Sequence, residues 1–153
     1  MLATLHANSA NQALDRVINF FPDERREQLL MDLSLNIRAL ISQRLIPRES
    51  GAGRIASMEI MLNSPLIQDL IFKGEVAKIK EVMSRSTRLG MKTFDQSLYE
   101  LYETGFISYE DALRNADSKN ELRLRIKLES KRETRTIEDN SLQIVEEDEG
   151  RSL

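Results

Sequence analysis

The sequence contains no cysteine and no tryptophan, and aromatic residues make up 5% of its 153 residues. Without cysteine the chain can form neither a disulfide nor a thiolate metal site, and we expect no bound metal. No apolar run approaches the roughly 20 residues that a membrane-spanning helix needs, and no stretch is typical of a secretory signal. The net charge of −3 argues against a nucleic-acid binder, which needs a basic face. These absences predict a cytoplasmic protein without membrane insertion or a nucleic-acid partner.

The N-terminal stretch carries the strongest local signal. An apolar run over residues 1–5 ends at His6, and apolar residues then recur from Ala10 at the spacing of one helical stripe. Ser9 and Gln12 fit a capping box. We therefore predict a buried strand and then a helix, with His6 at the carboxyl end of the strand. Ligands bind at that place in open α/β sheets, and free N–H groups of a helix N-terminus favour an anion. The alternative is that this lone histidine is structural.

The middle of the chain predicts a helix, a hairpin and a series of capped helices. Apolar spacing indicates a long helix from Pro22 to about Ser42, and alternating residues indicate strands at 43–48 and 54–62 around a glycine-containing loop. Candidate caps at Ser64, Thr93 and Ser108 begin three of the later helices, and Gly74 and Gly105 are predicted to end the first two. The last two helices could suggest a helix-turn-helix, but Glu110 and Asp111 would repel phosphate.

The C-terminal part changes composition. Leu122, Leu124, Ile126 and Leu128 alternate with basic residues, which predicts an extended basic segment over residues 117–135. The last stretch, residues 136–153, is acidic and is predicted to be a disordered tail.

Several stretches together indicate a family. Residues 3–10, Ala-Thr-Leu-His-Ala-Asn-Ser-Ala, resemble the His box of the type II/IV secretion ATPase superfamily. Further similarity to the pilus retraction ATPases of the PilT/PilU type, closest to the PilU-like accessory branch, lies at residues 15–18, 21–22, 41–45 and 89–95. The resemblance covers residues 1 to about 128. It implies an α/β fold, the C-terminal part of a RecA-like P-loop ATPase core over residues 1–63, followed by a helical subdomain over 64–116.

The resemblance also implies roles for individual residues. His6 and Thr4 would be catalytic, beside the terminal phosphate of ATP, and Arg16 would be a weaker candidate for an inter-subunit contact. A retraction motif, Ala-Ile-Arg-Asn-Leu-Ile, is represented here by Leu66, Ile67, Gln68, Asp69, Leu70 and Ile71. Because Gln68 and Asp69 replace its arginine and asparagine, the accessory-motor interpretation is favoured over independent retraction.

The sequence has no G-x-x-x-x-G-K-[ST] phosphate loop, and neither Walker A nor Walker B is found. We therefore expect the C-terminal portion of a hexameric motor for pilus retraction and twitching motility, inactive alone, with ATP and Mg²⁺ bound only in the complete enzyme. Its expected partners are further copies in a homo-hexamer or a paired retraction ATPase, and the inner-membrane pilus platform protein at the pilus base. Two alternatives are a non-catalytic module that docks on a full-length motor through residues 66–71 and the basic segment, and a signalling or export ATPase of the same superfamily.

Overall fold

A computed structural model describes residues 2–132. The predicted acidic tail, residues 136–153, lies outside the described residues. Residues 2–7 form no strand, and Leu2 is 97% exposed. The predicted buried strand at residues 1–5 is therefore wrong for the described residues. A parallel strand needs neighbours for its backbone groups and side chains, and none of the described strands lies beside it.

The first helix, α1, spans Ala10–Asn19, and a 3₁₀ turn then leads into α2 at Arg26–Asn36. The prediction that this second helix continues to about Ser42 is wrong, because the chain is extended at Ile37. Asn63 explains the early end. Its side-chain amide donates to the carbonyl oxygens of Ser34 and Ile37, at 2.7 and 2.8 Å, and so satisfies acceptors that a continuing helix would have used.

The two strands form an antiparallel hairpin, with β1 at Ala39–Pro47 and β2 at Arg54–Leu62. The register runs from Ala39 opposite Leu62 to Pro47 opposite Arg54, so β2 begins and ends as predicted while β1 starts four residues early. At the tip, Gly51 and Gly53 adopt φ angles of 74° and 75°, which glycine reaches at little cost. Among the described residues β1 pairs only with β2, as expected for a strand that ends at proline.

Five α-helices follow the hairpin in the described chain. They are α3 at Pro65–Phe72, α4 at Ile79–Arg85, α5 at Phe94–Glu103, α6 at Tyr109–Asn115 and α7 at Lys119–Glu129. The predicted caps are confirmed. Ser64 and Ser108 each accept a backbone N–H from the first turn, and Thr93 forms a complete capping box with Gln96. Within residues 2–132 every helix is too short or too polar to cross a lipid bilayer.

Helix α7, at Lys119–Glu129, corrects most of the predicted extended basic segment over residues 117–135, of which 133–135 lie outside the described residues. Leu122 and Ile126, four residues apart, are buried on one helical face, whereas Leu124 and Leu128 are exposed. The alternation of leucine and basic residues in the sequence therefore does not correspond to an alternation of buried and exposed side chains. Leucine, lysine and arginine are also good helix formers, so local preference agrees with the observed helix.

Two apolar cores lie under these elements. The first lies between the four helices α1–α4 and the C-terminal end of β2. The second joins the α5–α7 helices to one end of β1, and its buried members are Ile46, Leu98, Tyr102, Ile107, Ala112, Leu122 and Ile126.

Candidate functional site

Thr4 and His6 lie in the irregular stretch that precedes α1. Both residues are exposed, and neither side chain makes a hydrogen bond to the described part of the chain. They precede the N-terminus of α1 as predicted, but without the strand that was predicted to end at His6.

Free N–H groups for an anion were predicted at the N-terminus of α1, but two of these groups are already bonded within the chain. The backbone N–H of Ala10 donates to Oε1 of Glu59 at 2.7 Å, and that of Gln12 donates to Oγ of Ser9 at 3.2 Å. The Gln12 side chain accepts from the N–H of Asn8, at 2.6 Å, so it reaches one residue beyond the cap. Two of the donors that the sequence suggested for a phosphate are therefore taken by acceptors of the chain itself, one of them the carboxyl group of Glu59.

Glu59 is the buried anion at this helix. It lies on the inward face of β2 with 2% of its surface exposed. Burial raises the pKa of its carboxyl, while the N–H of Ala10 acts in the opposite direction and lowers it. Asp117 raises this pKa further, and Lys80 and Arg44 lower it. The carboxylate thus belongs to a group of interacting charges.

Arg44, on the inward face of β1, holds together segments that are distant in sequence. Its Nη1 donates to the carbonyl oxygen of Asn115 at 2.7 Å. Its Nη2 donates to Oδ1 of Asp117 at 2.8 Å and to the carbonyl oxygen of Asn8 at 3.3 Å. The guanidinium also lies 3.8 Å from the ring centroid of Phe94, a cation–π contact. A planar guanidinium suits this position because its donors point in fixed directions.

Two aspartates complete the group. Burial raises the pKa of Asp117, but hydrogen bonds from Lys80, at 2.6 Å, and from Arg44 outweigh it, so the net pKa is lowered. Asp95, in the first turn of α5, accepts the backbone N–H groups of Asp117 and Ser118 at 2.8 and 3.0 Å. Burial raises the pKa of Asp95 despite those bonds. We call these five side chains the junction: Arg44, Glu59, Lys80, Asp95 and Asp117.

Sequence reasoning missed the role of the junction. Arg44 and Asp95 both belong to stretches that carried the family resemblance, although no function was predicted for them. Glu59 had a usable signal, since it is the one charged residue between Ile55 and Leu62 in an alternating strand. Its partners could not be found this way because Ala10 is 49 residues away.

The remaining predicted site residues lie elsewhere. Arg16 is exposed on α1, and its inter-subunit role stays a prediction. Residues 66–71, which represent the retraction motif, form most of α3, where Ile67, Leu70 and Ile71 are buried and Leu66 is exposed. Beside them is a groove between α2 and α3, which we call the α2–α3 groove. It is lined by Met31, Ser34, Leu35, Pro65, Gln68, Asp69 and Phe72.

Comparison with known proteins decides the family. The chain is 60% identical over 129 residues to the type IV pilus ATPase PilU of Pseudomonas aeruginosa, which covers 84% of this chain and 34% of that protein. It is 38% identical over 116 residues to the pilus retraction ATPase PilT of the same organism, covering 76% and 33% respectively. This chain belongs to the PilT/PilU type of pilus ATPases and corresponds to their C-terminal part. A scan against protein-family models finds no match.

The fold agrees with the PilT/PilU-type assignment. A crystal structure of the pilus retraction motor PilT with bound ADP superposes with a TM-score of 0.69 at 32% identity, covering 78% of this chain and 33% of that one. The predicted fold class, the C-terminal part of an α/β ATPase core with a hairpin followed by helices, is thereby confirmed. The chain spans about a third of the length of the PilT/PilU-type proteins it matches.

Proposed function

We propose that this chain is the C-terminal portion of a hexameric, ATP-hydrolysing motor that drives pilus retraction and twitching motility. The supporting observation is the 60% identity to PilU over 129 residues, together with the structural match to PilT. The motor would act in the cytoplasm, at the inner-membrane base of the pilus. There it would work with a paired retraction ATPase and the platform protein.

The described residues alone do not fit a nucleotide. His6 and Thr4 offer an exposed imidazole and a hydroxyl, but in the first turn of α1 the N–H groups of Ala10 and Gln12 are already bonded to Glu59 and Ser9. We therefore infer that ATP and Mg²⁺ bind only in the complete enzyme, where positioning and charge stabilisation would drive phosphoryl transfer to water. This chain would contribute the imidazole of His6 at a fixed place before α1, and the hydroxyl of Thr4 beside it.

A fusion protein tests this function. Residues 1–153 of this chain replace the matching segment of Pseudomonas aeruginosa PilU, and ATP hydrolysis is measured for the fusion and for the isolated chain. We expect hydrolysis only by the fusion. His6→Ala in the fusion should lower kcat by about a hundredfold, the range of a positioned acid-base or polar group.

Gln43→Ala, at an exposed position on β1, is the matched control and should leave kcat unchanged. A fusion that assembles but hydrolyses no ATP, or an isolated chain with turnover of its own, would contradict the proposed motor role.

The second candidate function is a module that docks on a full-length motor without catalysis. The α2–α3 groove favours it, because Met31, Leu35 and Phe72 are exposed around it. Binding of the isolated chain to purified full-length PilU, measured by calorimetry, tests this candidate. Leu35→Glu should abolish binding if the groove is the contact, and Leu45→Glu, which changes an exposed leucine on β1, is the control.

A further inference from the structure

Two charged side chains from neighbouring strands hold the turn that follows His6. Glu59, on β2, accepts the N–H of Ala10, and Arg44, on β1, donates to the carbonyl oxygen of Asn8. These contacts lie on either side of Ser9, the N-cap of α1. The direction in which the chain leaves His6 is therefore fixed by the hairpin as well as by the local cap.

The same arginine also holds the far side of the molecule. Its two terminal nitrogens bond Asn115, at the end of α6, and Asp117, in the link to α7. Lys80 from α4 bonds the second oxygen of Asp117. Because the five donors of a guanidinium lie in one rigid plane, Arg44 cannot rotate toward Asn8 without changing its bonds to Asn115 and Asp117.

We propose that Arg44 and Glu59 are positioning residues that couple the His6 turn to the α5–α7 helices, so that movement at either end is transmitted to the other. The proposal rests on the proposed function, in which His6 lies at the nucleotide. Arg44 and Glu59 contact the turn after His6 rather than the reacting atoms, so their effect on hydrolysis is indirect.

The first test uses the 153-residue chain and nuclear magnetic resonance. Asp117→Asn changes the far end of the junction, which has no bond of its own to the His6 turn. Coupling predicts that the Ala10 amide exchanges about threefold faster, the effect of a modest interaction energy between linked sites, and that the His6 imidazole signals shift. The control is Asp15→Asn, an exposed aspartate on α1 that is nearer to His6 in the sequence and should change neither. If Asp117→Asn alters only the signals of residues 115–118, the coupling is overturned.

Glu59 is tested by its charge and by its hydrogen bond separately. Glu59→Ala should speed exchange of the Ala10 amide by about tenfold, because a charge-assisted bond is lost. Glu59→Gln keeps an acceptor for that N–H and should largely preserve protection.

The wild-type Ala10 amide shift should also change in a pH titration as Glu59 takes a proton. Burial raises the pKa of Glu59, so this step lies at higher pH than for an exposed glutamate. Arg44, Lys80 and Asp117 act on the same carboxyl, and Asp95 accepts the N–H groups of Asp117 and Ser118, so Asp95→Asn identifies any contribution of Asp95 to the step. The step should vanish in Glu59→Gln. If the step persists in Glu59→Gln, another group titrates, and Glu59 has no part in the proposed coupling.

The final arm uses the PilU fusion. Arg44→Lys keeps the positive charge but loses the forked geometry, and should lower kcat by about tenfold with little change in KM for ATP. Arg88→Lys, at an exposed position, is the control. If the unmodified fusion does not hydrolyse ATP, the proposed function fails while the magnetic-resonance results still decide the coupling. If the fusion is active and Arg44→Lys matches it, the coupling to hydrolysis is wrong.

Discussion

The stretches that flank α1 and the outer face of the hairpin differ from the α5–α7 helices in how far their apolar side chains are buried. Leu5, Phe20 and Phe21 are exposed on either side of α1, and Leu45 is 53% exposed on the outer face of the hairpin. In the α5–α7 helices, Leu98 and Ile107 are fully buried. The α5–α7 helices thus bury a core of their own, whereas on the N-terminal side Leu14 and Ile18 of α1 are buried but the flanking side chains just named gain little burial from the described residues.

The side chains that stabilise the fold and the candidate catalytic residue thus lie in different parts of this chain. Side chains of the helical core stabilise the fold, and the exposed N-terminal turn presents the candidate catalytic residue. The junction connects them through charge rather than through apolar packing. Three predictions test this division, from the largest expected effect to the smallest.

Truncating one leucine in each region gives the largest contrast. Leu98→Ala should lower the free energy of unfolding by about 3 kcal/mol, since it removes buried methyl groups and leaves a cavity. Leu45→Ala should change it by less than about 0.5 kcal/mol, because that side chain is half exposed. Urea denaturation measures both. Equal losses would mean that the hairpin face is buried in solution.

Removing the charge of Asp117 tests the connection between the two regions. Asp117→Asn should cost about 2 kcal/mol at pH 7, because Arg44 and Lys80 lose a charged acceptor. The pKa of Asp117 is lowered on folding, so its stabilisation is present above pH 3.8 and is lost as the pH falls through the lower folded value. The difference between wild type and variant should therefore shrink in acid. Asp15→Asn is the control, and a cost independent of pH would exclude this ion pair as the cause.

Helix caps give the smallest contrast. Thr93→Ala should cost about 1 kcal/mol, because it removes the buried Oγ1 that accepts the N–H of Gln96, while the backbone N–H of residue 93 keeps its bond to Gln96. Ser9→Ala should cost about half as much, since Glu59 continues to hold the first turn of α1. Thermal unfolding by circular dichroism measures both losses. A larger cost for Ser9→Ala would show that the cap, and not Glu59, fixes the start of α1.

Much of the fold could be predicted from the sequence because its signals are local. Ser64, Thr93 and Ser108 cap helices through bonds to residues three positions away, and β2 follows from alternation and flanking glycines. The end of α2 could not be predicted, since Asn63 causes it from 26 residues away. The resemblance found His6, but the junction required partners separated by up to 73 residues, such as Arg44 and Asp117.

The tip of the hairpin offers a practical handle on the molecule. Its base is anchored where the N–H of Glu49 donates to the carbonyl oxygen of Phe106 at 2.9 Å. Beyond that anchor, a methyl group built on Gly51 or Gly53 would meet no atom within 4 Å. Only backbone conformation restricts substitution there. A short peptide tag inserted between these glycines, or a fluorophore attached there, should therefore leave the hydrogen bonds of Arg44 undisturbed.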